Sequence, residues 1–82
     1  MIEIQNAMRS NGRINAVVIV NGRAVDCSWE DATPAGGPIT CDGKVCVETD
    51  DADLRATVEF YDRDDCEPIY SLVEQSLAEQ AA

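Results

Sequence analysis

The run Asn11-Gly12-Arg13-Ile14-Asn15-Ala16-Val17-Val18-Ile19-Val20-Asn21-Gly22-Arg23 carries the triplet Asn-Gly-Arg at both ends, ten residues apart. Asn-Gly between alternating segments favours a two-residue hairpin loop, because both loop positions need positive φ. Two such loops predict a three-strand antiparallel meander. With Asn21-Gly22 as a loop, Val20 pairs with Arg23, Val18 with Val25, Ala16 with Cys27 and Ile14 with Trp29. One face then collects Ile14, Ala16, Val18, Val25, Cys27 and Trp29, whereas a one-residue slip scatters them over both faces. The same rule at Asn11-Gly12 pairs Met8 with Asn15, Asn6 with Val17 and Ile4 with Ile19. That puts Ile4, Met8, Val17 and Ile19 on the opposite face and makes the central strand apolar on both sides.

Working outward, Glu30 to Pro38 holds two prolines and two glycines and reads as a loop. Short strands are expected at Ile39 to Cys41 and Val45 to Glu48, followed by a second loop from Thr49 to Asp53. Leu54 to Tyr61 alternates, with Leu54, Ala56, Val58 and Phe60 on one side, and predicts a further strand. Asp65 then caps a helix from about Cys66 to about Gln80, in which Ile69, Leu72, Val73 and Leu77 recur at helical spacing. The expected fold is α+β: an antiparallel meander of four to six strands packed by one C-terminal amphipathic helix. At 82 residues the chain is one small domain, residues 1–82, whose modest core would gain from a homodimer contact or a disulfide.

Six Lys and Arg against sixteen Asp and Glu leave a net charge of −10. Free nucleic acid is a poor ligand for such a chain, since holding phosphates requires a basic face. With no histidine, the commonest general base is missing. No Gly-rich phosphate loop follows a strand, and Gly36-Gly37 lies between prolines. We therefore expect neither an enzyme nor a bound cofactor. The longest apolar run, Ala16 to Val20, is too short to cross a bilayer, and Glu3, Gln5 and Asn6 stand where a signal peptide would be apolar; the expectation is a cytoplasmic protein with no membrane partner.

Cys27, Cys41, Cys46 and Cys66 admit free thiols, disulfides or a metal site. Zinc is poorly served, because only Cys41 and Cys46 are close in sequence. A two-residue loop at Gly43-Lys44 would set Cys41 opposite Cys46, within reach of a disulfide; a loop at Asp42-Gly43 would not.

The charge is unevenly placed. Residues 1–41 hold four acids and three arginines, a net −1, whereas residues 42–82 hold twelve acids against Lys44, Arg55 and Arg63, a net −9. Glu48, Asp50, Asp51 and Asp53 precede the expected strand at 54–61, and Asp62, Asp64, Asp65 and Glu67 follow it. Eight extended residues would hold the two clusters roughly 26 Å apart, with Glu59 between them. These nine carboxylates are the candidate partner-binding residues, as a rigid row standing in for a nucleic-acid backbone. The plainer reading is solvation and helix capping.

Small size, one domain, strong acidity and no catalytic motif make the whole chain resemble the small phage-encoded anti-CRISPR inhibitors. The resemblance implies blockage of a CRISPR effector, through its basic DNA or guide channel or its surface near the PAM-reading site. Two other classes fit the same residues: a virion or assembly subunit, such as a decoration or head–tail connector protein, which would use exposed strand edges and the Ala32 to Pro38 arm, and an antitoxin-type inhibitor of a basic nuclease.

Overall fold

The computed structural model describes residues 2–63 and 68–81. Its elements are β1 (Ile2–Ser10), β2 (Arg13–Val20), β3 (Arg23–Asp31), β4 (Cys41–Glu48), α1 (Ala52–Asp62) and α2 (Ile69–Ala81). The strands form one antiparallel sheet in the order β1-β2-β3-β4, and the fold is α+β.

Both Asn-Gly pairs turn as their chemistry requires. Asn11 and Gly12 have φ of 53° and 77°, and Asn21 and Gly22 have 52° and 80°, the conformation that twists with the flanking strands. The β2–β3 register is the expected one: Ile14 faces Trp29, Ala16 faces Cys27 and Val18 faces Val25. In β1–β2 the expectation holds only near the loop, where Met8 faces Asn15. A bulge then intervenes between Gln5 and Met8, with Asn6 at φ 53°, and the register slips so that Gln5 faces Val17 and Ile4 faces Val18. The extra residue turns Ile2, Ile4 and Ala7 toward the helices. Ile4 therefore leaves the face that Met8, Val17 and Ile19 keep.

One face of the sheet carries Ile14, Ala16, Val18, Val20, Val25, Cys27, Trp29 and Val45, and it is closed by Leu54 and Val58 of α1 and Ile69, Val73 and Leu77 of α2. Burying each of the larger side chains is worth about 1.5–3 kcal/mol, so this single layer supplies most of the drive to fold. Helix α2 begins at Ile69, three residues later than expected; Asp65, Cys66 and Glu67 lie outside the described residues.

Two further expectations fail. The segment from Leu54 to Tyr61 is helical. Its alternation of Leu54, Ala56, Val58 and Phe60 coexists with a helical spacing of Leu54, Val58 and Asp62, and tertiary burial selects the latter. Leu54 and Val58 are covered while Phe60 is 69% exposed. The start of α1 falls in the stretch expected to be a loop: Asp51 caps the helix by accepting the Leu54 amide at 3.0 Å, and Asp53 sits in the first turn. Two helices, not one, thus pack the sheet. The second failure is the hairpin at residues 43–44. Residues 41–48 form one strand, kinked where Gly43 takes φ 75° and the pairing with β3 shifts. Cys41 faces Asp31 and Cys46 faces Ser28. Five residues of extended chain separate the two sulfurs' residues by roughly 16 Å, and no Cys41–Cys46 disulfide exists.

Candidate functional site

Because the helices cover only one face, the other face of the sheet is open, and the register determines what it displays. Along β2 the open face carries Arg13, Asn15, Val17 and Ile19; opposite them on β3 stand Glu30, Ser28, Asp26 and Ala24. On β1 the corresponding residues are Ser10, Met8, Gln5 and Glu3. On β4, Asp42 faces Glu30, Cys46 faces Ser28 and Glu48 faces Asp26. The face divides lengthwise. Its β1–β2 side is apolar around Met8, Val17 and Ile19, and its β3–β4 side is acidic.

Two like-charge pairs stand directly across the β3–β4 ladder, Asp26 with Glu48 and Glu30 with Asp42. Such juxtapositions destabilise a sheet. Among the described residues, the ion pairs are Arg9–Asp31 at 2.7 Å, Arg23–Asp51 at 2.6 Å and Lys44–Glu59 at 3.5 Å, none of which relieves these four carboxylates. Arg13, the cation of this face, stands directly across from Glu30 and donates a hydrogen bond to Ser28 Oγ at 2.8 Å. A hollow of about 280 Å³ opens in the middle of the face, with Met8, Asn15, Val17, Asp26, Ser28 and Glu48 in its lining.

The nine acids expected to bind a partner are not one row. Helix α1 is eleven residues long, so it spans only about 16 Å where an extended strand would span about twice that. Glu48 lies on the open face, and Asp50 and Asp53 are exposed, the first in the β4–α1 connection and the second in the first turn of α1. Asp51 is committed to the α1 cap and to Arg23, and the cap amide with the Arg23 hydrogen bond holds its carboxyl below the ordinary range. Glu59 is half-buried and paired with Lys44. Asp64, Asp65 and Glu67 lie outside the described residues.

Asp62 is a structural group. It is 6% exposed, and it accepts from Trp29 Nε1 at 3.3 and 3.4 Å and from the Tyr70 amide at 3.2 Å. Burial raises its pKa, against the opposing pull of the Trp29 bond and the Tyr70 and Val45 amides. A second cavity, of about 660 Å³, adjoins it between Lys44, Glu59, Arg63 and Tyr70.

Among the described residues, two of the three thiols are held protonated. Burial first, then the charges of Asp62 and Asp26, pushes Cys27 up to about 12; burial and then Glu74, Asp62 and Asp31 push Cys41 up to about 12. A thiol held protonated is a poor nucleophile. Cys46 is exposed on the open face.

The strand edges are engaged as well. Glu74 of α2 accepts the backbone amide of Cys41 on β4 at 2.7 Å. At the β1 bulge, Gln80 Nε2 donates to the Ala7 carbonyl at 3.3 Å. Both devices hinder the addition of another strand.

Glu3, Asp26, Glu30 and Asp42 were missing from the sequence-based site. The signal was present, since the register that unites Ile14, Ala16, Val18, Val25, Cys27 and Trp29 necessarily turns Asp26 and Glu30 to the other side. No helix among the described residues is long and apolar enough to cross a membrane. No family model, no curated protein and no solved structure matches this chain.

Proposed function

We propose that this protein is an acidic inhibitor that binds a basic nucleic-acid-binding complex, a CRISPR effector being the leading class, and blocks the surface that would hold DNA or guide. The observation that carries the reading is the pair of like-charge couples fixed on rigid strands of an open face, Asp26–Glu48 and Glu30–Asp42, with Arg13 standing across from Glu30 of the second couple. Their repulsion costs native stability, and a cationic partner would convert it into affinity and a fast, salt-sensitive encounter. The binding surface is thus the open sheet face, with exposed Asp50 two residues beyond Glu48, rather than the row through residues 54–61. The virion-subunit alternative leaned on free strand edges, and the Glu74 and Gln80 contacts leave that argument weaker.

The test is competition. DNA binding by a purified, guide-loaded effector is measured with increasing protein across a salt series, for wild type and for a variant carrying Asp26→Asn, Glu30→Gln, Asp42→Asn and Glu48→Gln. Wild type is expected to displace DNA at low salt and progressively less as salt rises, and the variant to lose the effect while remaining folded. Equal potency of the two proteins overturns the acidic-face reading, and failure of wild type on every effector type overturns the target class.

A further inference from the structure

The open face is more than a patch of charge, because its two halves differ. Met8 is 57% exposed and faces Asn15, and half-buried Val17 and Ile19 follow two and four residues further along β2, opposite Gln5 and Glu3. The acid couples lie on the β3–β4 side, one strand spacing away, and the hollow of about 280 Å³ joins the two halves by running from Met8 and Val17 to Asp26 and Glu48. Five carboxylates (Glu3, Asp26, Glu30, Asp42 and Glu48) and the single guanidinium of Arg13 leave the face four charges negative.

We infer that this face is the seat of an amphipathic helix of the partner protein, laid along the strands with its apolar stripe on Met8, Val17 and Ile19 and a basic flank on the two acid couples. The spacing specifies the flank. Asp26 and Glu30 are four residues apart on β3, about 13 Å of strand, which a helix covers in about nine residues. Arginine or lysine seven to eight positions apart, two helical turns, therefore meets both couples from one side of the helix. An apolar side chain between them enters the hollow, where removal from water adds a component of binding that salt does not screen.

A second copy of this chain fits the seat poorly. An isologous contact would oppose four net negative charges to four, and neither helix offers a net basic flank: α1, from Ala52 to Asp62, sets Arg55 against Asp53, Glu59 and Asp62, and α2, from Ile69 to Ala81, carries Glu74 and Glu79 with no basic residue. Like charges across an interface exclude a partner rather than select it.

The proposal rests on the acidic-face reading above, and its test separates the two. Two fifteen-residue helical peptides of equal positive charge serve as probes, one with leucines along the stripe beside two arginines eight residues apart, the other with those leucines replaced by serine. Each is titrated calorimetrically into the full chain and into Met8→Ser/Val17→Thr, with unfolding curves confirming that the variant folds. Met8→Gln, at an exposed position, replaces it if it does not. The leucine peptide is expected to bind wild type at least about tenfold more tightly than the serine peptide, and to lose that advantage on the variant. Equal affinities of the two peptides for wild type overturn the helix seat while leaving the acidic face standing. Binding of neither peptide sinks both readings. Light scattering that shows a dimer dissociated by Met8→Ser/Val17→Thr assigns the face to a second copy and overturns the proposal.

Discussion

Trp29 in the middle of β3 donates its indole N–H to the carboxylate of Asp62, the last residue of α1, at 3.3 Å across 33 residues of sequence. The same carboxylate takes the Tyr70 amide at the start of α2. One buried acid thereby fastens the sheet to both helices, which explains why a charged group is tolerated in a core this small.

Asp62→Asn keeps an acceptor for Trp29 and Tyr70 and removes the buried charge, whereas Asp62→Ala leaves the indole N–H unsatisfied. We expect the alanine variant to lose about 1–3 kcal/mol and the asparagine variant to be at least as stable as wild type at pH 7. The pH dependence has a definite sign. A carboxyl whose folded pKa is raised contributes most below its unfolded value, near 3.8, and that contribution is lost as pH rises through the folded value. The advantage of Asp62→Asn over wild type should therefore grow as pH is raised through that window, in urea unfolding at a series of pH values; an advantage that shrinks would contradict the assignment.

Asp31 behaves oppositely. The Thr33 hydrogen bond first, and then Arg9, lower its pKa to about 2. Its contribution is complete above the unfolded value near 3.8 and is lost as pH falls toward about 2. Asp31→Asn should be less stable than wild type at neutral pH, with the difference vanishing at the acid end of the same titration.

Replacing one member of a like-charge couple tests the cost of the open face. Glu48→Lys should stabilise the fold by about 0.2–1 kcal/mol, by converting repulsion with Asp26 into attraction. The gain should shrink in high salt, and competition against DNA should weaken in the same protein. A variant both more stable and equally potent would separate the couple from function.

Among the described thiols, Cys46 is expected to alkylate first at mildly alkaline pH, with Cys27 and Cys41 protected until the protein unfolds. Peptide mass mapping after timed exposure to iodoacetamide reads the order directly. The oxidised protein should show no Cys41–Cys46 loop without unfolding.

The meander was legible because its signals are local: Asn-Gly admits few backbone conformations, and the alternation around it has a single register that keeps Trp29 with Ile14. Helix α2 was legible from its apolar spacing. Helix α1 was not, since Leu54, Ala56, Val58 and Phe60 satisfy two periods at once and only contact with the sheet distinguishes them. The acids of residues 48–67 do not form one row for a related reason: their clustering is along the chain, and in the fold Asp51, Glu59 and Asp62 are engaged in capping, pairing and burial.

By itself, then, the amino-acid sequence determined the two Asn-Gly hairpins, the β2–β3 register with the apolar set those two strands share, and the acidity, because each depends on neighbouring residues or on composition. Only the tertiary structure decided that residues 54–61 are helical, that residues 41–48 continue as one strand through the kink at Gly43, and that Asp26 and Glu30 join Asp42 and Glu48 on one surface. Those outcomes depend on which groups meet across the fold, and burial and charge act between neighbours in space, whatever their separation along the chain.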